Sequence, residues 1–205
     1  AKHLLQDFPE VTKYTSKPTA LFSNTQIENP NLMLEGMPNY RSGVDGLRVS
    51  NSTKGGITFA ASTTQNGIHM ITVVLGVEAV DGDPYARFVA TSSLMNYVVR
   101  TFVSSIVVKE GDPYGKSKAT IMDGKSETVL AVAKKDFYIV EKQGSQAEPK
   151  IQFKSDQESF RAPVKSGTNL GKLHYTDPDK IGRGYLEDQE PTVDMVSGRT
   201  IEKSF

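Results

Sequence analysis

The pattern of apolar and polar residues predicts a β-hairpin within the first half of the chain. Two apolar runs, residues 57–64 and 68–77, are separated only by Asn66 and Gly67. Both central positions of a type I′ turn need positive φ, which asparagine and glycine adopt at low cost, so these two residues predict a tight turn between antiparallel strands. The second run is apolar on both faces, which is typical of a strand inside a sheet.

A third strand is predicted just before the hairpin. Residues 47–50 fit a short strand beside it, with residues 51–56 as the connecting loop. Arg48 lies near the start of this strand. We expect its guanidinium to project from the edge of the sheet into a neighbouring cleft.

A helix is predicted after the hairpin. Asp81, Gly82, Asp83 and Pro84 form a turn signal, in which Asp83 is a good helix cap and Pro84 suits the first helical position. Apolar residues then recur at helical spacing at Phe88, Met95, Val99 and Phe102. This predicts a helix of about four to five turns packed on the sheet.

The second half differs in charge and in pattern. Residues 1–104 hold 8 basic and 8 acidic side chains, whereas residues 105–205 hold 16 of each. The predicted strands there are short and separated by turn residues, at 106–109, 128–133, 137–141, 150–154, 170–175 and 192–196. The glycine-containing segment 111–115 is interpreted as a loop. We predict an α+β first domain over 1–104 and an all-β, sandwich-like domain over 105–205.

Composition excludes several classes of function. The 205 residues contain 24 basic and 24 acidic side chains, so net charge gives no reason to expect a nucleic acid or an acidic membrane as partner. The absence of cysteine excludes disulfides and thiol chemistry. No apolar run reaches the length of about 18 residues that spans a bilayer. Because the chain begins with Ala1 and no signal peptide, we expect it to be part of a longer protein.

Several sequence segments resemble one protein family. They are Ala1-Lys2-His3-Leu4-Leu5, Phe8-Pro9-Glu10-Val11, Asn31-Leu32-Met33-Leu34-Glu35-Gly36, Val44-Asp45-Gly46-Leu47 before a basic residue, Ile57-Thr58-Phe59-Ala60-Ala61-Ser62, the segment 66–76, Gly182-Arg183-Gly184-Tyr185-Leu186 and Val193-Asp194-Met195-Val196. Together they resemble the low-molecular-mass penicillin-binding proteins, the serine-type D-alanyl-D-alanine carboxypeptidases. The resemblance implies that the first domain is the end of a β-lactamase or transpeptidase-like domain and that the second is the family's β-rich C-terminal domain.

The resemblance assigns substrate binding to three residues. In the family, a Lys-Thr-Gly strand borders the substrate, where the cation attracts the terminal carboxylate, the hydroxyl adds a hydrogen bond and the glycine lets the backbone approach. The matching residues here are Arg48, Val49 and Ser50. Arg48 keeps the charge, Val49 loses the hydroxyl, and Ser50 adds a Cβ. Spacing alone favours a solvated strand cation at Arg48, and the family position favours contact with a carboxylate.

No catalytic centre, metal site or cofactor is predicted within the chain. None of its serines is followed three positions later by lysine, so the resemblance implies a serine nucleophile outside these residues. His3, His69 and His174 lie far apart, and none has the spacing of a metal ligand. We expect structural roles for them.

Functions of different classes remain open. In the first, the parent protein trims the terminal D-alanine of peptidoglycan stem peptides by serine acyl-enzyme chemistry and is acylated by β-lactams. In the second, it is a wall-associated binding or scaffolding relative that kept the fold and lost the chemistry, as the altered triplet suggests. A third possibility is that the triplet and the following loop were engineered, or belong to a divergent subfamily with another substrate.

The resemblance also implies the partners and the location of the parent protein. The partners are a stem peptide ending in D-Ala-D-Ala, β-lactam antibiotics and the missing N-terminal part of the same protein, with no nucleic acid. The location is extracytoplasmic, at the bacterial cell surface, with membrane contact only through an anchor outside these residues. Without that missing part we expect the first domain to expose a sheet edge and an apolar face.

Overall fold

The computed structural model describes residues 1–78, 83, 85–180 and 190–204. Contacts divide the chain into two compact units, Ala1–Val103 and Ser104–Phe205. The predicted turn residues Asp81, Gly82 and Pro84 and the segment 182–186 lie outside the described residues.

The first unit contains short helices, a small hairpin, a three-stranded sheet and one long helix. Its elements are α1 Lys2–Asp7, a 3-10 turn Pro9–Val11, α2 Thr12–Thr15, β1 Thr19–Phe22, β2 Thr25–Glu28, β3 Val44–Ser52, β4 Gly56–Gln65, β5 Ile68–Val77 and α3 Ala86–Thr101.

The predicted hairpin is confirmed. Strands β4 and β5 pair antiparallel, and Gln65 faces Ile68 across a two-residue loop. Asn66 and Gly67 have φ values of 53° and 74°, as a type I′ turn requires. Strand β3 pairs antiparallel with β4, so the third strand is also confirmed, and the loop between β3 and β4 is shorter than predicted because both strands extend into it.

The prediction that residues 68–77 form an inner strand is wrong for the described sheet. The strand order is β3-β4-β5, which places β5 at an edge. Val73 and Leu75, on the face opposite Val74, are 51% and 75% exposed. The expected exposed edge and apolar face are therefore present, since both faces of β5 are apolar and the described residues cover only one of them.

Helix α3 covers the other face of the sheet. Its buried side chains Phe88 and Met95 belong to the core of this unit, and the Phe88 ring lies edge-on to the Phe59 ring of β4 at 5.5 Å between centroids. The Asp83 carboxylate accepts a hydrogen bond from the Tyr85 amide at 2.8 Å, but the helix begins later than predicted, at Ala86. No helix in the described ranges is both long and apolar enough to cross a bilayer.

The helix also ends earlier than the apolar pattern predicts. Phe102, the last residue of that pattern, has extended backbone dihedrals of −123° and 153° and begins the next strand. Val99 remains within the helix and packs half-buried against the core. The predicted length of about four to five turns agrees with the 16 residues observed.

The second unit is all-β. Its strands are β6 Phe102–Val108, which begins just before the unit boundary, β7 Pro113–Met122, β8 Thr128–Ala133, β9 Phe137–Lys142, β10 Lys150–Ser155, β11 Phe160–Arg161, β12 Asn169–Thr176 and β13 Thr192–Ser197. Six form one sheet in the order β10-β12-β13-β8-β7-β11, and β6 pairs with β9.

One core joins these two sheets. Inward residues of the large sheet, such as Ala131, Leu173 and Met195, are buried in the same cluster as Val108 of β6 and Phe137 of β9. The two sheets thus pack on each other as a sandwich, which confirms the predicted α+β fold followed by a sandwich-like domain.

Strands β2, β7 and β11 were not predicted from the sequence. The segment 111–115 was predicted as a loop, but β7 begins at Pro113. The inward positions near the middle of β7 include Ser117 and Ala119, which are small or polar, so the alternation that marks a strand is weak there.

Candidate functional site

Strand β3 places the predicted substrate-binding triplet on an edge of the described sheet. Arg48 faces Ala60, Val49 faces Phe59, and Ser50 faces Thr58 of β4. The opposite side of β3 pairs with no strand among the described residues. The backbone of an edge strand can therefore pair with an extended ligand.

The Arg48 guanidinium is an uncompensated cation. The side chain is exposed, and within the described parts of the chain it makes no hydrogen bond or ion pair. Successive side chains on a strand point to opposite faces, so Arg48 shares its face with Ser50, which is also exposed. This face presents one cation and one hydroxyl two residues apart.

Val49 lies on the other face of the strand. It is half-buried and packs against the core of the first unit, on the same face as its cross-strand neighbour Phe59. The structure therefore brings together Arg48 and Ser50, and it separates Val49 from them. A contact between a substrate and the Val49 side chain stays a prediction.

The backbone of β3 is held at this point by a buried arginine that the sequence analysis missed. Arg87, in the first turn of α3, is 4% exposed. Its Nη1 donates hydrogen bonds to the carbonyl oxygens of Ser50 and Thr58, both at 3.1 Å. Its Nη2 donates to Oδ1 of Asn51. Arg87 therefore fixes the end of the triplet to the neighbouring strand and to the helix.

The charge of Arg87 is met by oxygen dipoles, with no carboxylate partner among the described residues. Burial lowers the pKa of the Arg87 guanidinium below its usual value. The guanidinium carbon also lies 5.9 Å from the Phe88 ring centroid, within the range of a cation–π contact. A usable sequence signal was present, because Arg87 stands four residues before Thr91 and eight before Met95, on the buried stripe of the helix.

A serine and a histidine also meet in the first unit, but they do not form a catalytic pair. His69 Nε2 lies 2.9 Å from Oγ of Ser62. Ser62 is 0% exposed, so no substrate reaches its hydroxyl. Within the described ranges, no group of three or more histidine, aspartate or glutamate side chains is placed to hold a metal ion. The contact joins the neighbouring strands β4 and β5, and a structural role for His69 stays a prediction.

The site as built can recognise an anion but holds no nucleophile. An exposed guanidinium binds a carboxylate with two parallel hydrogen bonds, and the neighbouring Ser50 hydroxyl can donate a further one. No serine of the chain has the Ser-x-x-Lys pattern that would activate it for acyl transfer. Acylation would need groups from outside these residues.

Sequence comparison places the second unit in a known family. Residues 102–203 match the family described as "Penicillin-binding protein 5, C-terminal domain". The chain is 26% identical over 174 residues to the D-alanyl-D-alanine carboxypeptidase DacA of Haemophilus influenzae, an alignment that covers 84% of this chain and 42% of that protein.

Structural comparison extends the similarity to the whole chain. The fold is similar to that of a peptidoglycan synthesis regulatory factor (PBP3) from Streptococcus pneumoniae, with a TM-score of 0.93 and 42% identity over 98% of this chain and 55% of that one. Penicillin binding protein 5 from Haemophilus influenzae shares the fold, with a TM-score of 0.63 and 23% identity over 98% of this chain and 54% of that one. The chain thus spans about half the length of these relatives. The chain belongs to the low-molecular-mass penicillin-binding proteins, and its second unit is their penicillin-binding protein 5 type C-terminal domain.

Proposed function

We propose that this chain is the C-terminal portion of a D-alanyl-D-alanine carboxypeptidase. In this proposal the strand β3 edge holds the stem peptide of peptidoglycan, and Arg48 binds the free carboxylate of its terminal D-alanine. The serine nucleophile and its activating lysine come from polypeptide outside this chain. β-Lactams acylate that serine. Such an enzyme works outside the cytoplasmic membrane.

The observation that carries the proposal is the exposed Arg48 guanidinium, which has no partner in the described part of the chain, on a braced edge strand. A guanidinium that has no internal partner keeps all its donors for a ligand, and an open strand edge offers backbone groups to an extended peptide. Arg87 holds that edge by hydrogen bonds to the carbonyl of Ser50, which keeps the strand in place when a ligand binds. Pre-organisation of this kind lowers the entropic cost of binding.

The same proposal accounts for the exposed edge and apolar face of β5. Val73 and Leu75 are largely exposed and lie on the sheet face opposite α3. Apolar side chains on an open edge strand are typical of a surface that another segment covers. We expect the missing N-terminal part of the protein to pair with β5 and to bring the serine and lysine to the Arg48 face of the sheet.

Acylation of the full-length protein by a labelled penicillin tests the role of Arg48. Loss of a charge-assisted hydrogen bond costs about 1.5–3 kcal/mol, so Arg48→Gln should slow acylation by about 10-fold to 100-fold. Arg48→Lys keeps the charge and should retain most of the rate. Arg100→Gln removes another exposed arginine of the first unit, on α3, and serves as the matched control. Equal rates in Arg48→Gln and Arg100→Gln would exclude the carboxylate role.

A non-catalytic, wall-associated relative is the second candidate function. The position of Val49 favours it, because an aliphatic side chain packed on the core supplies no hydroxyl to a substrate. The triple change Arg48→Lys, Val49→Thr and Ser50→Gly in the full-length protein separates the two candidates. A large gain in penicillin acylation would mean that the chemistry had been lost, whereas an unchanged and already rapid acylation supports the carboxypeptidase.

A further inference from the structure

An open groove of about 660 Å³ lies on the outer face of the large sheet in the second unit. It is lined by Gly111, Pro113, Lys118, Ser126, Thr128, Leu130, Val132, Gly198 and Arg199. None of these residues belongs to the core or to the candidate site on β3. The groove therefore requires an explanation of its own.

An irregularity in strand β7 builds one side of the groove. Pro113 faces Val132 and Lys118 faces Leu130, so four residues of β7 lie opposite one residue of β8. Such a bulge bends its strand away from the partner and leaves backbone outside the regular ladder. Gly115, within the bulge, has a φ of 55°, and a side chain there would meet no atom within 4 Å.

The floor of the groove is formed by outward-facing residues of β8. Thr128, Leu130 and Val132 alternate with core residues of the same strand, so all three point away from the core. Leu130 is 45% exposed. From Thr128 to Val132 the strand extends about 13 Å, which matches about four residues of an extended peptide. The floor is therefore an apolar strip with a hydroxyl at one end.

Two cations without acidic partners border this strip. Lys118 is exposed and faces Leu130 across the strands, and it has no hydrogen bond or ion pair within the described ranges. The side chain of Arg199 makes one described hydrogen bond, from Nη2 to Oγ of Ser126 at 3.4 Å. Among the described residues, no aspartate or glutamate lines the groove. The groove is thus positively charged in a protein whose formal net charge is zero.

Two exposed cations elsewhere in the same unit each pair with a carboxylate. Lys134 lies 3.7 Å from a carboxylate oxygen of Asp194, and Arg161 lies 3.3 Å from one of Asp123. The lack of such partners in the groove therefore distinguishes Lys118 and Arg199 from these surface cations. Uncompensated cations beside an apolar strip are complementary to a ligand that carries both an anion and aliphatic groups.

We propose that this groove binds a short, extended peptide through its free C-terminal carboxylate. The Arg199 guanidinium holds the carboxylate with two hydrogen bonds, Lys118 adds charge, and the Thr128 hydroxyl donates at the same end, while the Ser126 hydroxyl already donates to the Thr128 carbonyl at 2.9 Å. Small aliphatic side chains of the peptide lie on Leu130 and Val132. This site is separate from β3 and requires no acyl chemistry, so it gives the C-terminal domain a binding role of its own.

Titration of the isotopically labelled 205-residue chain with a defined probe tests the proposal by NMR. The probe is N-acetylated tetra-alanine with a free carboxylate, and its control is the same peptide with a C-terminal amide. We expect amide shifts at Lys118, at residues 126–132 and at Arg199, and an affinity about 10-fold higher for the carboxylate form, as expected for one charge-assisted hydrogen bond.

Three variants locate the binding. Arg199→Gln and Lys118→Met should each weaken binding of the carboxylate peptide several-fold. If one of the two substitutions alters the fold, the other still tests the groove. Lys172→Met removes an exposed cation elsewhere on the same sheet and should leave binding unchanged. Equal affinities of the acid and the amide, or shifts that map outside the groove, would overturn the proposal. Inorganic phosphate that binds as tightly as the peptide would replace it with a general anion site.

Discussion

The two units are almost equal in length but bury very different amounts of apolar surface. Among the described residues, the core of the first unit holds nine buried hydrophobic side chains and that of the second holds seventeen. The most exposed large apolar residue of the first unit is Leu21, at 80%, and that of the second is Tyr138, at 56%. The first unit therefore leaves large apolar side chains exposed to solvent, whereas the second buries its apolar side chains more completely.

The difference follows from the number of layers in each unit. In the second unit, β6 and β9 cover the inner face of the large sheet, so each layer buries the apolar face of the other. In the first unit, α3 covers one face of β3-β4-β5 and leaves Val73 and Leu75 exposed on the other. The unit with the exposed apolar face is also the unit that carries the proposed substrate edge.

The largest expected effect is the difference in stability lost when one leucine in each unit is replaced by alanine. Leu173→Ala removes a side chain that is 0% exposed in the second unit and should lower its free energy of unfolding by about 2–5 kcal/mol. Leu75→Ala removes one that is 75% exposed, so the change should stay within about 0.5 kcal/mol. Urea unfolding of the full chain, followed by NMR signals from each unit, measures both. Similar losses for the two variants would contradict the contrast between the units.

A smaller effect is expected at the buried arginine of the first unit. Arg87→Met removes the guanidinium that donates to the carbonyls of Ser50 and Thr58, although the Ser50 oxygen keeps its hydrogen bond from Oγ1 of Thr58, and loss of a hydrogen bond from a charged group costs about 1.5–3 kcal/mol. The loss should be local, with faster amide hydrogen exchange along β3 and β4 and unchanged exchange in the second unit. Arg87→Lys keeps the charge but not the planar set of donors, so it should rescue only part of the protection. Unchanged exchange at β3 in Arg87→Met would exclude the bracing role.

The elements that the sequence predicted best are those specified by local chemistry. The hairpin was predictable because Asn66 and Gly67 adopt the positive φ values of its turn and the flanking runs are apolar. Strands β10 and β13 were predictable because Ile151 and Phe153 alternate with polar neighbours, as do Val193 and Met195. In each case a few adjacent residues decide the structure.

The features that were missed depend on residues far apart in the chain. Strand β7 has a bulge, and its small inward residues give little alternation. The pattern of α3 could place Arg87 on the buried stripe, but its hydrogen-bond partners are carbonyls 29 and 37 residues away, which no local pattern reveals. The triplet was found by resemblance alone, and the separation of Val49 from Arg48 follows only from knowing which face α3 covers.

The smallest expected effect is a pH dependence of the second unit at His174. Partial burial and the positive charges of Lys154 and Lys172 lower the pKa of His174, while Glu190 acts in the opposite direction. The unfolded chain therefore binds a proton more readily, so the unfolding free energy should fall as the pH drops below the ordinary histidine pKa of about 6.5 and level off above it. His174→Gln should flatten this slope in melting temperatures measured between about pH 5 and pH 8. Glu190 stays ionised in this range because its hydrogen bond from Thr176 lowers the pKa of its carboxyl, so a slope that persists in His174→Gln would assign the effect to another group.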